Sequence, residues 1–316
     1  MTLMQLMYFV ALADVGNFTR AAERSGVSQP TLSRQIRALE DELGATLIDR
    51  GTGGGKGELT LTPAGEAVLP LARRMLADSD GARTAVAEIV GLRSGRVRVG
   101  ATPSLCIGLL ADVLRIFHER HPGVRLELAE NGSQPLVHDL ARGLLDVALV
   151  IVPQTGLDPT LSITPLLRER LSVASARSAP APASANRGSI SVTELSRREL
   201  VMFRHGYDLR EVTLRAYRDA GVTPRFAVEG GEMDAVLRLV ENNTGVAVVP
   251  DLVFAGQPRL RRTVLTPPLY RTVALAGRAE VTPTHAASAF RDTLLTFLRE
   301  LSTSGSVAAD FTVLHR

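Results

Sequence analysis

The segment Phe18–Ile48, reading FTRAAERSGVSQPTLSRQIRALEDELGATLI, constrains the fold more than any other stretch of the chain. Ala21 and Ala22 are small residues in a short helix, where a second helix can approach closely. Gly26 makes the turn. Ser28 opens the next helix, because its hydroxyl can cap the free amides there. Leu32, Ile36, Leu39 and Leu43 recur at spacings of 4, 3 and 4, which predicts one buried face. Ser28, Gln29, Thr31, Ser33, Arg34 and Arg37 are then left pointing outward. An inner apolar stripe, a glycine turn and a short polar face are the parts of a helix–turn–helix that fits a DNA major groove.

The stretch SQPTLSRQIRALEDELGATLI, with LTLTPAGE at Leu59–Glu66, resembles the N-terminal winged helix–turn–helix of LysR-type transcriptional regulators. An ordinary helical hairpin would share the period; here the residue identities match as well. The resemblance extends, more weakly, over about the whole chain. It implies an α/β protein with a winged helix–turn–helix over 1–62 and a dimerising linker helix over 63–92. A two-lobed, periplasmic-binding-protein-like (type 2) effector domain would follow over 93–301. Lobe I would take about 96–163 and 268–301, lobe II about 164–267, and 302–316 would be a disordered tail. The implied protein is a DNA-binding regulator switched by a small effector. Its implied partners are double-stranded DNA, the effector and itself, as a dimer and by analogy a tetramer. RNA polymerase is admitted as a further partner, and no cofactor or catalytic residue is expected.

On this resemblance Thr19, Arg20, Ser28, Gln29, Thr31, Ser33, Arg34 and Arg37 are the candidate DNA contacts of the helices. Arg50 and Lys56 are those of the wing. Arginine matches guanine best and glutamine adenine, and which residue takes which role stays open. The wing is predicted over Thr46–Thr62, with TLIDR and ELTLT flanking a tip from Gly51 to Gly57. The tip is not a phosphate-binding loop, since Arg50 and Gly57 stand where that motif needs Gly and Ser or Thr. The family's wing tip is usually Arg-rich, and this one is glycine.

Bulk charge says little. The chain carries +3, but residues 1–92 hold nine basic and eleven acidic residues, a net of −2. Arg34 and Arg37 must therefore carry the case by position, with Glu40, Asp41 and Glu42 lying beyond the helix N-terminus. Low non-specific affinity for DNA is expected. One cysteine, Cys106, excludes an internal disulfide framework. Apolar runs such as Val147–Val152 fall far short of the ~18–20 residues of a membrane span. The apolar start MTLMQLMYFVALAD lacks the basic region and cleavage site of a signal peptide, so a cytoplasmic protein is expected. Leu3, Leu6, Met7, Val10 and Ala13 predict a helix over 2–14 that packs behind the helix–turn–helix. Pro63 to about Leu92 predicts one long helix, with Pro in the first turn where it is tolerated. Val68, Ala72, Met75, Ser79, Ala82, Val86 and Ile89 alternate steps of four and three, a coiled-coil seam. Gly91 to Gly95 is the hinge.

From Arg96 strands alternate with helices. Strands are predicted at 97–100, 124–130 and 146–152, and helices at Leu105–Arg120 and Pro135–Gly143, hence βαβαβ and a parallel sheet. Thr164–Ala174 reads as a crossing strand. A second unit follows: strands at 200–203, 225–229 and 245–250, helices at Leu209–Ala220 and Met233–Asn242. Return strands fall at Arg259–Leu265 and Arg271–Leu275, and His285–Leu301 is a final helix docking on the first lobe. Ser175–Ser189 is low-complexity Ala, Pro and Ser, predicted as a disordered surface loop.

Two such lobes make a clamshell with a cleft at the strand ends. Thr102 and Ser104 open one helix there, Asn131 and Ser133 another, and helix N-termini favour anions. Both serines would also be explained as plain helix caps. The resemblance implies ligand contact, because the family's effectors bind beside these turns. Across the cleft stand Phe203, Arg204, Gly230 and Gly231. Arg204 would pair with a carboxylate or make a solvated or cross-lobe salt bridge; the glycines would admit a close ligand. Val150, Val152 and Phe203 are the candidate apolar lining. The expected effector is therefore a small organic acid. Enzyme motifs fail: His118-Glu119-Arg120-His121 is one residue short of a zinc motif, and neither a Gly-x-Ser-x-Gly elbow nor a dinucleotide fingerprint occurs. The alternative is a cytoplasmic solute-binding or sensor protein without sequence-specific DNA readout.

Overall fold

The computed structural model describes residues 1–49, 59–89, 95–152, 160–180, 188–279, 281–303 and 311–314. It divides into two compact units, residues 1–92 with 141–144, and 93–140 with 145–316.

In the first unit α1 (Leu3–Val15) starts in a capping box in which Thr2 and Gln5 exchange side-chain and backbone hydrogen bonds. Asn17 caps α2 (Phe18–Arg24), and Ser28 caps α3 (Gln29–Leu43). Leu6, Phe9, Leu12, Ala21, Ala22, Leu32, Ile36 and Leu39 form one buried core. Two expectations shift. Leu3 and Met7 are exposed, because α1 is apolar nearly all round and buries the face of Gln5, Leu6, Phe9 and Leu12 instead. Leu43, the last residue before the Gly44 cap, also reaches solvent.

Strands β1 (Ile48–Asp49) and β2 (Thr60–Leu61) pair antiparallel as the base of the wing, whose tip lies outside the described residues. Helix α4 (Pro63–Ile89) follows. The Thr62 hydroxyl donates to the Thr46 carbonyl at 2.6 Å and accepts the Gly65 N–H at 3.0 Å, capping α4 while tying it to the wing. At Gly65 a Cβ would collide with the carbonyl oxygen of Leu47. The first part of the predicted seam belongs to the head itself: Ala72 is buried in the head core and Val68 packs against it. Leu71 (55% exposed) and Met75 (43%), one turn apart, are the large apolar side chains that α4 turns outward among the described residues. Val86, Ile89 and the hinge at 91–94 lie outside what is described at side-chain level.

The second unit starts with β3 (Gly95–Ala101). A helical run follows: α5 (Pro103–Leu105), a π-helical turn (Cys106–Leu110) and α6 (Ala111–Arg120). Then come β4 (Val124–Glu130), α7 (Ser133–Ala141), β5 (Val147–Ile151) and β6 (Leu161–Ala176). After these lie β7 (Ser189–Ser191), α8 (Val192–Leu195), β8 (Glu199–Phe203), α9 (Asp208–Asp219) and β9 (Arg225–Gly231). The chain continues through α10 (Met233–Glu241), β10 (Ala247–Pro250), a 3-10 turn (Asp251–Gly256), β11 (Leu260–Arg278), α11 (His285–Thr303) and β12 (Phe311–Val313).

The main sheet runs β10-β6-β11-β5-β3-β4. Its β4-β3-β5 part is parallel, but β11 joins β5 and β6 antiparallel, so the sheet is mixed rather than parallel. β6 and β11 are shared by both lobes. The two predicted return strands are one strand, β11, whose ladder with β6 breaks between Val264 and Leu269. Pro267 and Pro268 lie there, and neither has an N–H to donate. In lobe I, α6 and α11 cover one face of the sheet, with Phe117 meeting Phe290 edge-on at 5.6 Å. Helix α7 covers the other with Leu136 and Leu140. Lobe II is built on the parallel pair β8-β9, bridged from Leu200 to Val246 beside β10.

Two segments expected to be irregular carry order at their ends. Ser175 and Ala176 finish β6 and Ser189 begins β7; residues 181–187 lie outside the described set. Of the 302–316 tail, Ser302 and Thr303 complete α11, and Phe311–Val313 pair antiparallel with Leu167–Glu169. The pairing uses the edge of β6 next to the stretch taken by β10.

Candidate DNA interface and effector cleft

Thr19 and Arg20 stand exposed on α2; Ser28, Gln29, Arg34 and Arg37 are exposed at and along α3, with Thr31 and Ser33 half-buried between them. Ser28 and Thr31 share a side-chain hydrogen bond at 2.8 Å, and the Thr31 N–H reaches Ser28 Oγ at 3.4 Å. Arg20, Arg34 and Arg37 have no ion-pair partner among the described residues, so their guanidinium groups are free for phosphate or base edges. Arg50 and Lys56 lie outside the described residues. The acidic cluster beyond is partly neutralised. Glu40 Oε1 accepts the backbone N–H groups of Leu47 at 2.8 Å and Ile48 at 3.2 Å, fixing β1 to α3. Glu42 pairs with the N-terminal ammonium of Met1.

In the second unit the two cleft serines differ from simple helix caps. Thr102 holds the N-cap position of α5 without a side-chain cap bond and lies 3.4 Å from Ser104 Oγ. Ser104, fully buried, accepts a hydrogen bond from Arg271 Nη2 at 2.9 Å. Arg271 in turn donates to Glu169 Oε1 at 2.7 Å, and both are buried, at 5% and 0% exposure. Burial pushes the Glu169 carboxyl above the usual range, with Arg271 pulling against that rise. Ser133 is the first residue of α7. Its hydroxyl donates to Asp208 Oδ2 at 2.7 Å and accepts the Ile151 N–H at 3.0 Å. Asn131 is turned toward its own loop, accepting the Gly132 N–H at 2.9 Å.

On the lobe II side Arg204 pairs with Glu232, donates to the His205 carbonyl at 3.2 Å and lies 5.9 Å from the Tyr207 ring centre. Its ion pair is within the lobe, not across it. Gly231 accepts the Arg204 N–H, and a Cβ on Gly231 would stand 2.9 Å from Val236 Cγ2. Gly231 is therefore explained by the packing of α10. Gly230, exposed and at φ 99°, keeps a conformation that favours glycine. Phe203 is buried and stacked on Tyr207 at 4.8 Å, and Val150 faces the α7 core, so neither is open lining. Val152 is half-buried and donates its N–H to the Thr272 carbonyl at 2.9 Å.

Asp208, Tyr207, Glu169 and Arg271 were not singled out by motif. The available signal was charge inside predicted strands: Glu169 in the crossing strand and Arg271 in a return strand both need a buried partner. Burial raises the pKa of the Tyr207 hydroxyl, with Arg271 opposing that rise and Glu232 and Asp208 adding to it. His118 lies in the last turn of α6 with His121 as its C-cap, and no cluster of three or more potential ligands that could hold a metal occurs among the described residues. No helix there is long and apolar enough to cross a membrane.

A helix–turn–helix with a free cationic face, and a separate two-lobed α/β unit with polar helix ends at its cleft, define a ligand-responsive DNA-binding regulator. Comparison with known proteins supplies the family. Residues 3–66 match the bacterial regulatory helix-turn-helix protein, lysR family, and residues 91–299 match the LysR substrate binding domain. The HTH-type transcriptional regulator TtuA of Agrobacterium vitis is 34% identical over 259 residues, covering 79% of this chain and 80% of the relative. A full-length OxyR variant from Pseudomonas aeruginosa, with one cysteine replaced by aspartate, superposes with a TM-score of 0.71 at 28% identity, covering 93% of this chain and 98% of that one. Full-length CbnR complexed with its target DNA gives 0.64 at 28% identity, covering 93% and 99%. The chain belongs to the LysR family: it is a DNA-binding transcriptional regulator with an effector-binding domain, and the family is one of regulators, not enzymes.

Proposed function

We propose that this regulator acts in the cytoplasm as a homodimer, with a small organic acid as effector. Gln29, Thr31, Ser33 and Arg34 would read base edges or phosphates in the major groove, with Thr19, Arg20, Ser28 and Arg37 on the flanking backbone. Exposed Leu3, Met4 and Met7 on α1 and Leu71 and Met75 on α4 support pairing of two heads through these helices. Tetramer formation and contact with RNA polymerase extend the same reading.

The observation that carries the choice of effector is the Ser133–Asp208 hydrogen bond. A carboxylate already occupies the start of α7, and the Ser133 hydroxyl donates to it. An effector carboxylate would take that position and release Asp208, and with it lobe II. The effector must then bind the released and latched forms with different affinity, which is what couples the cleft to DNA. The test is gel-shift and footprinting on DNA upstream of the protein's own gene, with and without a panel of small organic acids. Acid-dependent change in the footprint is expected; a footprint indifferent to every acid would refute the effector class, and absence of any shift would refute the DNA reading.

A further inference from the structure

Lobe II contains a second cavity, remote from the cleft, of about 230 Å³. It opens at the N-terminal ends of β8 and β10, beside Glu199, Gly245 and Val246. The cleft lies at the opposite end, beyond Phe203. The four strand steps from Glu199 to Phe203 put the two sites about 13 Å apart along β8. Ligands of open α/β sheets ordinarily sit at the C-terminal strand ends, so this cavity is not an extension of the cleft.

Its walls have three kinds of surface. Val173, Ile190, Leu195 and Val246 supply an apolar body. Arg197 and Arg198 stand exposed at the wall, with no ion pair among the described residues. Ser175, 8% exposed, lines the cavity, and its hydroxyl has no hydrogen-bond partner among the described residues. A buried hydroxyl without a partner is uncommon and costs free energy, so it marks a place where a polar group is missing. Directly opposite Ser175 in the β6–β11 register, Arg261 also leaves Nη1 without a hydrogen-bond partner among the described residues, although its Nη2 donates to the Arg177 carbonyl at 2.8 Å. Thr263, two register pairs further along and so on the same face, completes a polar strip.

We propose that this cavity is a second ligand site, for a small carboxylic acid with an apolar body that carries a hydroxyl or carbonyl group. The carboxylate would meet Arg197 and Arg198, as guanidinium groups pair well with carboxylates. The body would cover the four aliphatic side chains, and the hydroxyl or carbonyl would satisfy Ser175. A cavity of about 150 Å³ holds benzene, so about 230 Å³ admits a ring of that size with a carboxylate and one further polar group. 4-Hydroxybenzoate has this size and carries all three features. The site stands independently of the cleft reading.

The test is calorimetric titration of the full chain with 4-hydroxybenzoate, benzoate and hexanoate. To quiet the cleft, the same titrations are run in Ser133→Ala, which lacks the hydroxyl that a cleft carboxylate would meet. Saturable binding should persist in Ser133→Ala and weaken about tenfold or more in the Arg197→Ala/Arg198→Ala double variant, as loss of charge-assisted hydrogen bonds predicts. Thr244→Phe, placed at the half-exposed wall, should block binding, and melting curves check that it folds. The preference for 4-hydroxybenzoate over benzoate should vanish in Ser175→Ala. The proposal is overturned if none of the three acids binds, if binding disappears with Ser133→Ala alone, or if it is untouched by the pocket variants.

Discussion

Ser133 donates its hydroxyl proton to the Asp208 carboxylate at 2.7 Å while holding the N–H of Ile151 at 3.0 Å. One side chain thus ties the end of a lobe I strand to the first turn of a lobe II helix. Replacing Asp208 by Asn keeps a hydrogen-bonding group but removes the charge that would compete with an effector. Asp208→Asn should therefore respond to the effector at a severalfold lower concentration, read as a shift in the dose dependence of melting temperature. Ser133→Ala should instead cost about 1–3 kcal/mol, because the Ile151 N–H loses its partner in a buried site.

The Glu169–Arg271 pair gives a prediction with a sign in pH. Arg271→Ala should destabilise the second unit by about 3–5 kcal/mol, since it leaves a buried carboxyl uncompensated. Replacing both residues by Leu and Met should recover most of that loss. The Glu169 carboxyl is raised from its ordinary value of 4.5 by burial, and removing Arg271 takes away the largest opposing effect. A raised folded-state pKa means the folded form holds the proton longer than the unfolded one. Stability in Arg271→Ala should therefore fall as pH rises from about 4.5 upward. Calorimetric melting across pH 4.5 to 8 checks this, and a variant that gains stability with pH would contradict it.

Cys106 lies in the π-helical turn, and burial, with Glu130 adding, pushes its thiol up to about 12. Only about one molecule in ten thousand would be thiolate at pH 8, and the thiolate is the reactive form. Iodoacetamide labelling, followed by mass spectrometry, should be slow and rise about tenfold per pH unit up to pH 10 without levelling. Fast labelling at pH 8 would instead favour a thiol-based response.

In the head, Arg34→Ala should weaken operator binding by about 1–3 kcal/mol if Arg34 touches a base, and its footprint should lose protection at that position alone. Glu40→Ala should act differently. It frees the Leu47 and Ile48 amides, so the head should melt earlier and all sequences should lose affinity together.

What could be read from sequence was whatever the chain states within a few residues. Leu32, Ile36 and Leu39 announced the buried face of α3, Ser28 its cap, and Val147–Ile151 a strand hidden on both sides. Val68 and Ala72 were legible as apolar but not as to which partner they face, since a seam and a docked helix share one period. The cleft was less legible because its hydrogen bonds join distant residues: Ser133 and Asp208 are 75 positions apart, Glu169 and Arg271 102. Glu40 looked like one acid in a surface run of three, and only the fold shows its carboxylate turned onto two amides.

The strands β6 and β11 pass through both halves of the ligand unit, so those halves are not beads on a tether. They are two ends of one continuous ribbon, and a motion between them must be a bend or a twist of that ribbon. Leu265 to Pro268 is where β11 lets go of β6 while β6 itself runs on unbroken. The crease should fall there, at Leu171 and Ser172, and its stiffness would set how far a bound molecule can fold the unit.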